Sequence, residues 1–117
     1  MGLRPFEYQL ATGGDLSADY QSPSQYMPQM YIASIQAKWT GSPTGSLKLQ
    51  ISNNDPNVTA AANIIWSDYT GSTTSVSGPG NFLWNLSSLG FNLIRVVYTY
   101  VSGSGSIDIT ISGKGPA

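Results

Sequence analysis

No histidine and no cysteine occur among the 117 residues. Without imidazole there is no ordinary base for a serine nucleophile and no histidine metal ligand. Without thiols there is no disulfide, no thiolate nucleophile and no zinc knuckle. Charge is scarce as well: five basic and six acidic residues make up 9% of the chain, against about 25% in ordinary soluble domains. The basic residues are scattered and the net charge is −1, so the electropositive footprint of a nucleic-acid partner is missing. Uninterrupted apolar runs extend to only a few residues, and no membrane span is expected. The opening Met1-Gly2-Leu3-Arg4-Pro5-Phe6-Glu7 lacks the apolar stretch of a secretory leader. Phe6 also stands where a myristoylation motif needs Ser or Thr.

What the chain does have is length for a single domain, 40% hydrophobic residues, and polarity carried by 17 Ser and 9 Thr. Such a composition folds rather than staying disordered. From Tyr31 to Thr40 the apolar residues Tyr31, Ala33, Ile35, Ala37 and Trp39 alternate with polar ones, the period of a half-buried strand. Gly41-Ser42-Pro43-Thr44-Gly45 breaks the run, and Leu47, Leu49 and Ile51 alternate after it, which reads as a β-hairpin. A polar loop over 52–62, a short strand over 64–68 and a Ser/Gly-rich stretch over 71–80 come next. Strands follow over 81–86, with Phe82, Trp84 and Leu86 on one face, and over 92–101. The latter is apolar on both sides and is expected to be central. Ser102-Gly103-Ser104-Gly105 then turns into Ile107, Ile109 and Ile111. No amphipathic helix is visible, and Ala60-Ala61-Ala62 is too short to nucleate one. Residues 1–30 look different: Pro5, Pro23, Pro28 and Gly13-Gly14 interrupt them, so they read as an N-terminal arm with one strand around 6–11, ahead of a β-sandwich domain over 31–117. Such an arm lies either on the domain's own sheet or against a neighbour, and it is expected to contribute to intersubunit contact rather than to the core.

One internal echo stands out. Residues 46–52 match residues 106–112 at an offset of 60, each after a Gly-containing turn and an aromatic-bearing strand. Either two hairpins share the same local rules, or each half of a pseudo-symmetric sandwich contributes one.

The residues suited to chemistry are few. Lys38 and Lys48 alternate with apolar neighbours and point to solvent, so no buried Ser–Lys pair forms. The carboxylates lie mostly in loops, without the facing pair a glycosidase needs. No catalytic residue, cofactor or metal ligand is expected. Asp15 and Asp19 offer the makings of a weak calcium site, but turn capping explains Asp15 as well. The same holds for Asn53-Asn54-Asp55-Pro56-Asn57, which lacks the glycine and closing glutamate of a calcium loop. Trp66-Ser67-Asp68-Tyr69, with Tyr20, Tyr26 and Tyr31, offers a stacking platform for sugars beside Asn and Gln hydrogen bonders; the other reading makes Trp39, Trp66 and Trp84 core anchors. The sequons at Asn57 and Asn85 carry no meaning without a secretory context.

A surface of Ser, Thr, Asn, Gln and Tyr with little charge is poorly protected against self-association, and interfaces deplete Lys and Glu while enriching Tyr and Trp. The expectation is a homo-oligomer, a trimer favoured. Arg95 shares a strand face with apolar Leu93 and Val97. If residues 94–101 paired with 106–113 across the Ser102–Gly105 turn, Asp108 would lie about 13 Å along the strand from it. Arg95 is therefore expected at a surface, touching a neighbouring subunit or a ligand, together with Tyr8, Tyr20, Tyr26 and Tyr69 as candidate contacts.

The run from Ile35 to Asn53, the Trp66-Ser67-Asp68 strand, Phe82-Leu83-Trp84-Asn85, and Ile94-Arg95-Val96-Val97-Tyr98-Thr99 with its Ser102-Gly103-Ser104-Gly105 turn together resemble small structural proteins of tailed phages and prophages. The likeness covers residues 31–114. It implies an all-β, antiparallel sandwich of jelly-roll type with about eight strands. It also implies a non-enzymatic structural or adhesion subunit of a phage particle, located in the virion or in host cytoplasm during assembly, with other virion proteins as partners. A carbohydrate-binding module recognising a host-surface glycan is the alternative. The expected core is Ile35, Trp39, Leu47, Leu49, Ile51, Ile64, Trp84, Ile94, Val96, Tyr98, Ile107, Ile109 and Ile111.

Overall fold

The computed structural model describes residues 3–27, 32–86 and 90–116; the expectations placed on Pro28, Met30 and Tyr31 lie outside them. The strands are β1 (Leu3–Asp15), β2 (Tyr20–Gln21), β3 (Gln25–Tyr26), β4 (Ile32–Gly41), β5 (Thr44–Ser52), β6 (Ser67–Asp68), β7 (Thr74–Ser77), β8 (Gly80–Leu86), β9 (Leu93–Ser102) and β10 (Gly105–Pro116). All pairings are antiparallel. One sheet has the order β1-β10-β4-β8, and the other the order β2-β9-β5-β6, with β3 also on β9 and β7 also on β5. Helical structure among the described residues is one 3-10 turn, Ala61–Asn63.

Two buried serines explain why the second sheet has broken edges. Ser22 separates β2 from β3, and its Oγ accepts the Val96 backbone N–H at 2.9 Å. Ser72 lies between β6 and β7, and its Oγ accepts the Leu49 N–H at 3.0 Å. Each hydroxyl takes a ladder bond that a backbone carbonyl would otherwise take, so neither buried donor is orphaned. With β2 and β3 counted as one interrupted strand, and β6 and β7 as another, each sheet has four strands. That is the sandwich of about eight strands, jelly-roll in type, expected from the sequence.

Between the sheets lie Ile35, Ala37, Leu47, Leu49, Ile94, Val96, Tyr98, Ile107, Ile109 and Ile111, all fully buried. Trp39 and Trp84 are buried too, and each indole N–H finds a carbonyl, Gly78 at 2.7 Å and Ser72 at 2.8 Å. Ile51 and Ile64, expected in the core, are half-buried. Ile51 packs against the core from the end of β5.

Two expectations are corrected. The boundary at residue 30 does not separate an arm from a domain. β1 pairs with β10 from Leu3↔Pro116 to Asp15↔Ser106, and Leu10, Ala11, Leu16 and Met27 belong to the core. Register shifts between Gln9 and Ala11 and between Ala11 and Gly14 break the two-residue period, which hides this buried face from a pattern reading.

The second correction concerns the two expected hairpins. β4 and β5 lie in different sheets, as do β9 and β10, so both turns are corners that cross the sandwich. Arg95 and Asp108 therefore sit on opposite sheets. The two corners pack together: the Ser42 N–H donates to the Ser104 carbonyl at 2.8 Å, and Gly41 faces Gly105. β4 pairs with β10, and β5 with β9, so the echoed segments lie in different sheets, each paired with the strand that precedes the other. An alternating strand, a Gly/Pro loop and a second alternating strand read alike for a hairpin and for a corner. Only the partner strands distinguish them.

Candidate ligand-binding face

The outward surface of the second sheet is built by register. Gln50 on β5 stands between Arg95 on β9 and Asp68 on β6, which places three polar side chains in one row across three strands. Lys48, two residues back on β5, lies on the same face. Leu47, Leu49 and Val96 alternate inward, which commits the intervening positions to the outside.

These side chains form one chain of contacts. Arg95 donates from Nε and Nη2 to Gln50 Oε1 at 2.9 and 2.7 Å. Gln50 Nε2 donates to Asp68 Oδ1 at 3.0 Å. Lys48 Nζ pairs with Asp68 Oδ2 at 3.0 Å. A cation on one side and a carboxylate on the other leave the Gln50 amide a single sensible orientation. The Gln50 hydrogen bond, and then Lys48, hold the Asp68 carboxyl below its ordinary value. Partial burial lowers the Arg95 guanidinium from its usual range.

Trp66 covers this row. The Arg95 guanidinium carbon lies 4.2 Å from the centre of its ring, a cation–π contact worth about 0.5–1 kcal/mol when partly exposed. Trp66 reaches this place because Asn54 ties the ends of its loop together: Asn54 Oδ1 accepts the Ile65 N–H at 2.7 Å and the Ser52 hydroxyl at 3.1 Å. Ile65 and Ser67, on either side of Trp66, line a cleft of about 330 Å³ with Ile51, Ser52, Asn53 and Asn54. The face has hydrogen-bonding groups of both signs beside an aromatic ring. It can hold a ligand; it has no arrangement of nucleophile and base.

The five candidate contacts do not converge. Arg95 is at the centre of this face. Tyr26 pairs with Leu93 on the same strand, one row away. Tyr20 and Tyr69 pack against the core, Tyr69 edge-on to Phe91 with ring centres 6.2 Å apart. Tyr8 is on β1 in the other sheet, opposite Ile111. Gln50, Asp68, Lys48 and Asn54 were not among the candidates. The outward parity of Lys48 and Gln50 was readable, but the β6 partner that gives them meaning was not. Asp15 accepts from the Ser17 N–H and hydroxyl at 2.9 and 2.7 Å, the turn cap expected of it, and Asp19 accepts the Tyr100 N–H at 2.8 Å. No group of three or more potential metal ligands occurs among the described residues.

No protein-family model and no curated protein matches the sequence. Solved structures are similar in fold. The SPBc2 prophage-derived protein YomS aligns over 96% of both chains, with a TM-score of 0.57 and 11% identity. The PBSX exported protein XepA aligns over 96% of this chain and 37% of its own, with a TM-score of 0.57 and 14% identity. A chain from the structure of infectious bursal disease virus, Gx strain, aligns over 97% of this chain and 32% of its own, with a TM-score of 0.55 and 14% identity. At these identities the likeness is one of fold. That fold is shared with prophage-derived and viral proteins, as the sequence resemblance implied at this coarse level.

Proposed function

We propose that the chain is a non-enzymatic structural or adhesion subunit of a phage particle that assembles with copies of itself. The observation that carries the assembly is the edge of the first sheet. β8 ends the order β1-β10-β4-β8 and contains no charged residue over its seven positions. Phe82 and Leu83 on it are 37% and 47% exposed. Natural edge strands are usually guarded by lysine, proline or a bulge, and β8 has none of these. Beside it, β4 and β10 present Ser34, Gln36, Ser112 and Thr110 in facing pairs, next to the opposite charges of Lys38 and Asp108, which also face each other. A second copy covering β8 satisfies its free backbone groups and buries both side chains. A trimer or another small ring closes such an assembly.

The phage assignment draws on the fold shared with YomS and XepA and on the sequence resemblance. The alternative, a carbohydrate-binding module, is favoured by the Trp66 and Arg95 face, and adhesion joins the two readings in one molecule.

Sedimentation equilibrium of the wild type and of Leu83→Lys tests the assembly. The wild type is expected at a small multiple of 12.4 kDa, and the variant at the monomer mass with the same circular dichroism. A wild type that stays at the monomer mass at high micromolar concentration overturns the assembly reading.

A further inference from the structure

We propose that the Arg95 side of the second sheet binds a carboxylate-bearing saccharide, with the guanidinium as the anchor for the carboxylate. The inference names a ligand class for this face, and it stands whether or not the chain is part of a particle.

Charge sets the ligand's sign. Lys48 and Asp68 neutralise each other at 3.0 Å. Arg95 has no carboxylate partner among the described residues; its hydrogen bonds go to the neutral Gln50. The row therefore carries one uncompensated cation, on a chain whose net charge is −1. The Gln50 hydrogen bonds and the Trp66 ring offset part of the cost of half-burying this guanidinium, and an anion would offset the remainder.

Geometry sets the ligand's shape. Gln50 Oε1 occupies the fork made by Nε and Nη2, and the guanidinium carbon lies over the Trp66 ring. Both contacts fix the group's orientation. Among the described residues no hydrogen bond takes the second fork, between Nη1 and Nη2, and it matches the two oxygens of a carboxylate.

The surroundings set the remainder of the ligand. From Asp68 through Gln50 to Arg95 the row crosses three strands, about 10 Å at the usual strand spacing, which is the span of one or two sugar rings. Lys48, Gln50 and Asp68 supply donors and acceptors for hydroxyls. Trp66 offers an apolar ring beside them. A bare carboxylate uses only Arg95, whereas an acidic sugar uses the whole row.

The test is a titration of the ¹⁵N-labelled protein with a glucuronate-containing disaccharide, followed at the Arg95 Nε–H and the Trp66 indole N–H. A neutral glucose disaccharide and sodium acetate serve as comparisons, and the sample's mass is recorded alongside. The acidic disaccharide is expected to shift both signals and to bind at least tenfold tighter than either comparison. Arg95→Met is expected to abolish the shift at Trp66, and Arg95→Lys to weaken binding at least tenfold, because an ammonium keeps the charge without the fork. Trp66→Leu, which keeps an apolar group over Arg95, controls for folding and is expected to weaken binding. Equal binding of the neutral disaccharide, equal binding of acetate, full binding by Arg95→Met, or no shift at millimolar ligand each overturns the proposal. The recorded mass shows separately whether assembly holds.

Discussion

The guanidinium carbon of Arg95 sits 4.2 Å from the centre of the Trp66 ring, which joins the central strand of one sheet to the end of a long loop. That loop is held by Asn54, whose side-chain carbonyl accepts the Ile65 N–H. Asn54 thus acts as a positioning residue for Trp66. Asn54→Ala is expected to loosen Trp66 and red-shift its fluorescence, while Trp39 and Trp84 stay buried. Global stability should fall by about 1 kcal/mol, one hydrogen bond's typical worth. An unchanged emission spectrum would contradict the positioning role.

Two glycines with the same backbone sign should behave differently. Gly71 and Gly103 have φ of +80° and +82°, but a Cβ on Gly71 meets open space, whereas one on Gly103 would lie 2.0 Å from the Ser42 carbonyl oxygen. Gly71→Ala is expected to cost about 1–2 kcal/mol, the usual penalty for a side chain in that region. Gly103→Ala is expected to cost clearly more, because the two corners must separate. Denaturant melts of both variants check the order; equal losses would show that the corner contact is soft.

Residues 1–25 include all of β1 and two fully or nearly buried leucines, Leu10 and Leu16. Burial of each leucine contributes about 1.5–3 kcal/mol, against a total stability of about 5–15 kcal/mol for a domain. Deleting 1–25 also strips one side of β10. The truncated chain is expected to lose its cooperative thermal transition. A folded product would restore the independent arm that the sequence suggested.

Stability should be flat near neutrality and fall at both ends of the pH scale. No histidine is present, so no side chain has an ordinary pKa between about 5 and 8. Asp68 and Asp15 are held below the ordinary 3.8, chiefly by the Gln50 and Ser17 hydrogen bonds. Their contribution is present above that value and is lost as pH falls through the depressed one. Burial raises Tyr98 and Tyr20 above 10.0, and the Tyr98 hydroxyl has no hydrogen-bond partner among the described residues. Their contribution is present below 10.0 and is lost as pH rises through the raised values. Thermal melts from pH 2 to 12 check this; a step between pH 5 and 8 would contradict it.

The strands with an unbroken two-residue period were legible: β4, β8 and β9 appear within a residue or two of their expected places, while β5 starts earlier, at Thr44, and β10 runs on to Pro116, with Ile35, Leu49, Ile94 and Ile109 at zero exposure. β1 was only partly legible, because its bulges shift Leu10 and Ala11 out of phase. Sheet membership was not legible at all, since Gly41-Ser42-Pro43 serves a corner as well as a hairpin. Of the binding face, Arg95 was readable as a charge among apolar neighbours. Gln50 and Asp68 were not, because a row across strands exists only once the strands are ordered.

The most direct test of the central claim is quantitative mass spectrometry of purified particles produced by the genome that encodes this chain. The account predicts its peptides in the particle at a fixed copy number, in a multiple set by the ring it forms. Absence from particles that are otherwise complete, with the chain found only free, would contradict it.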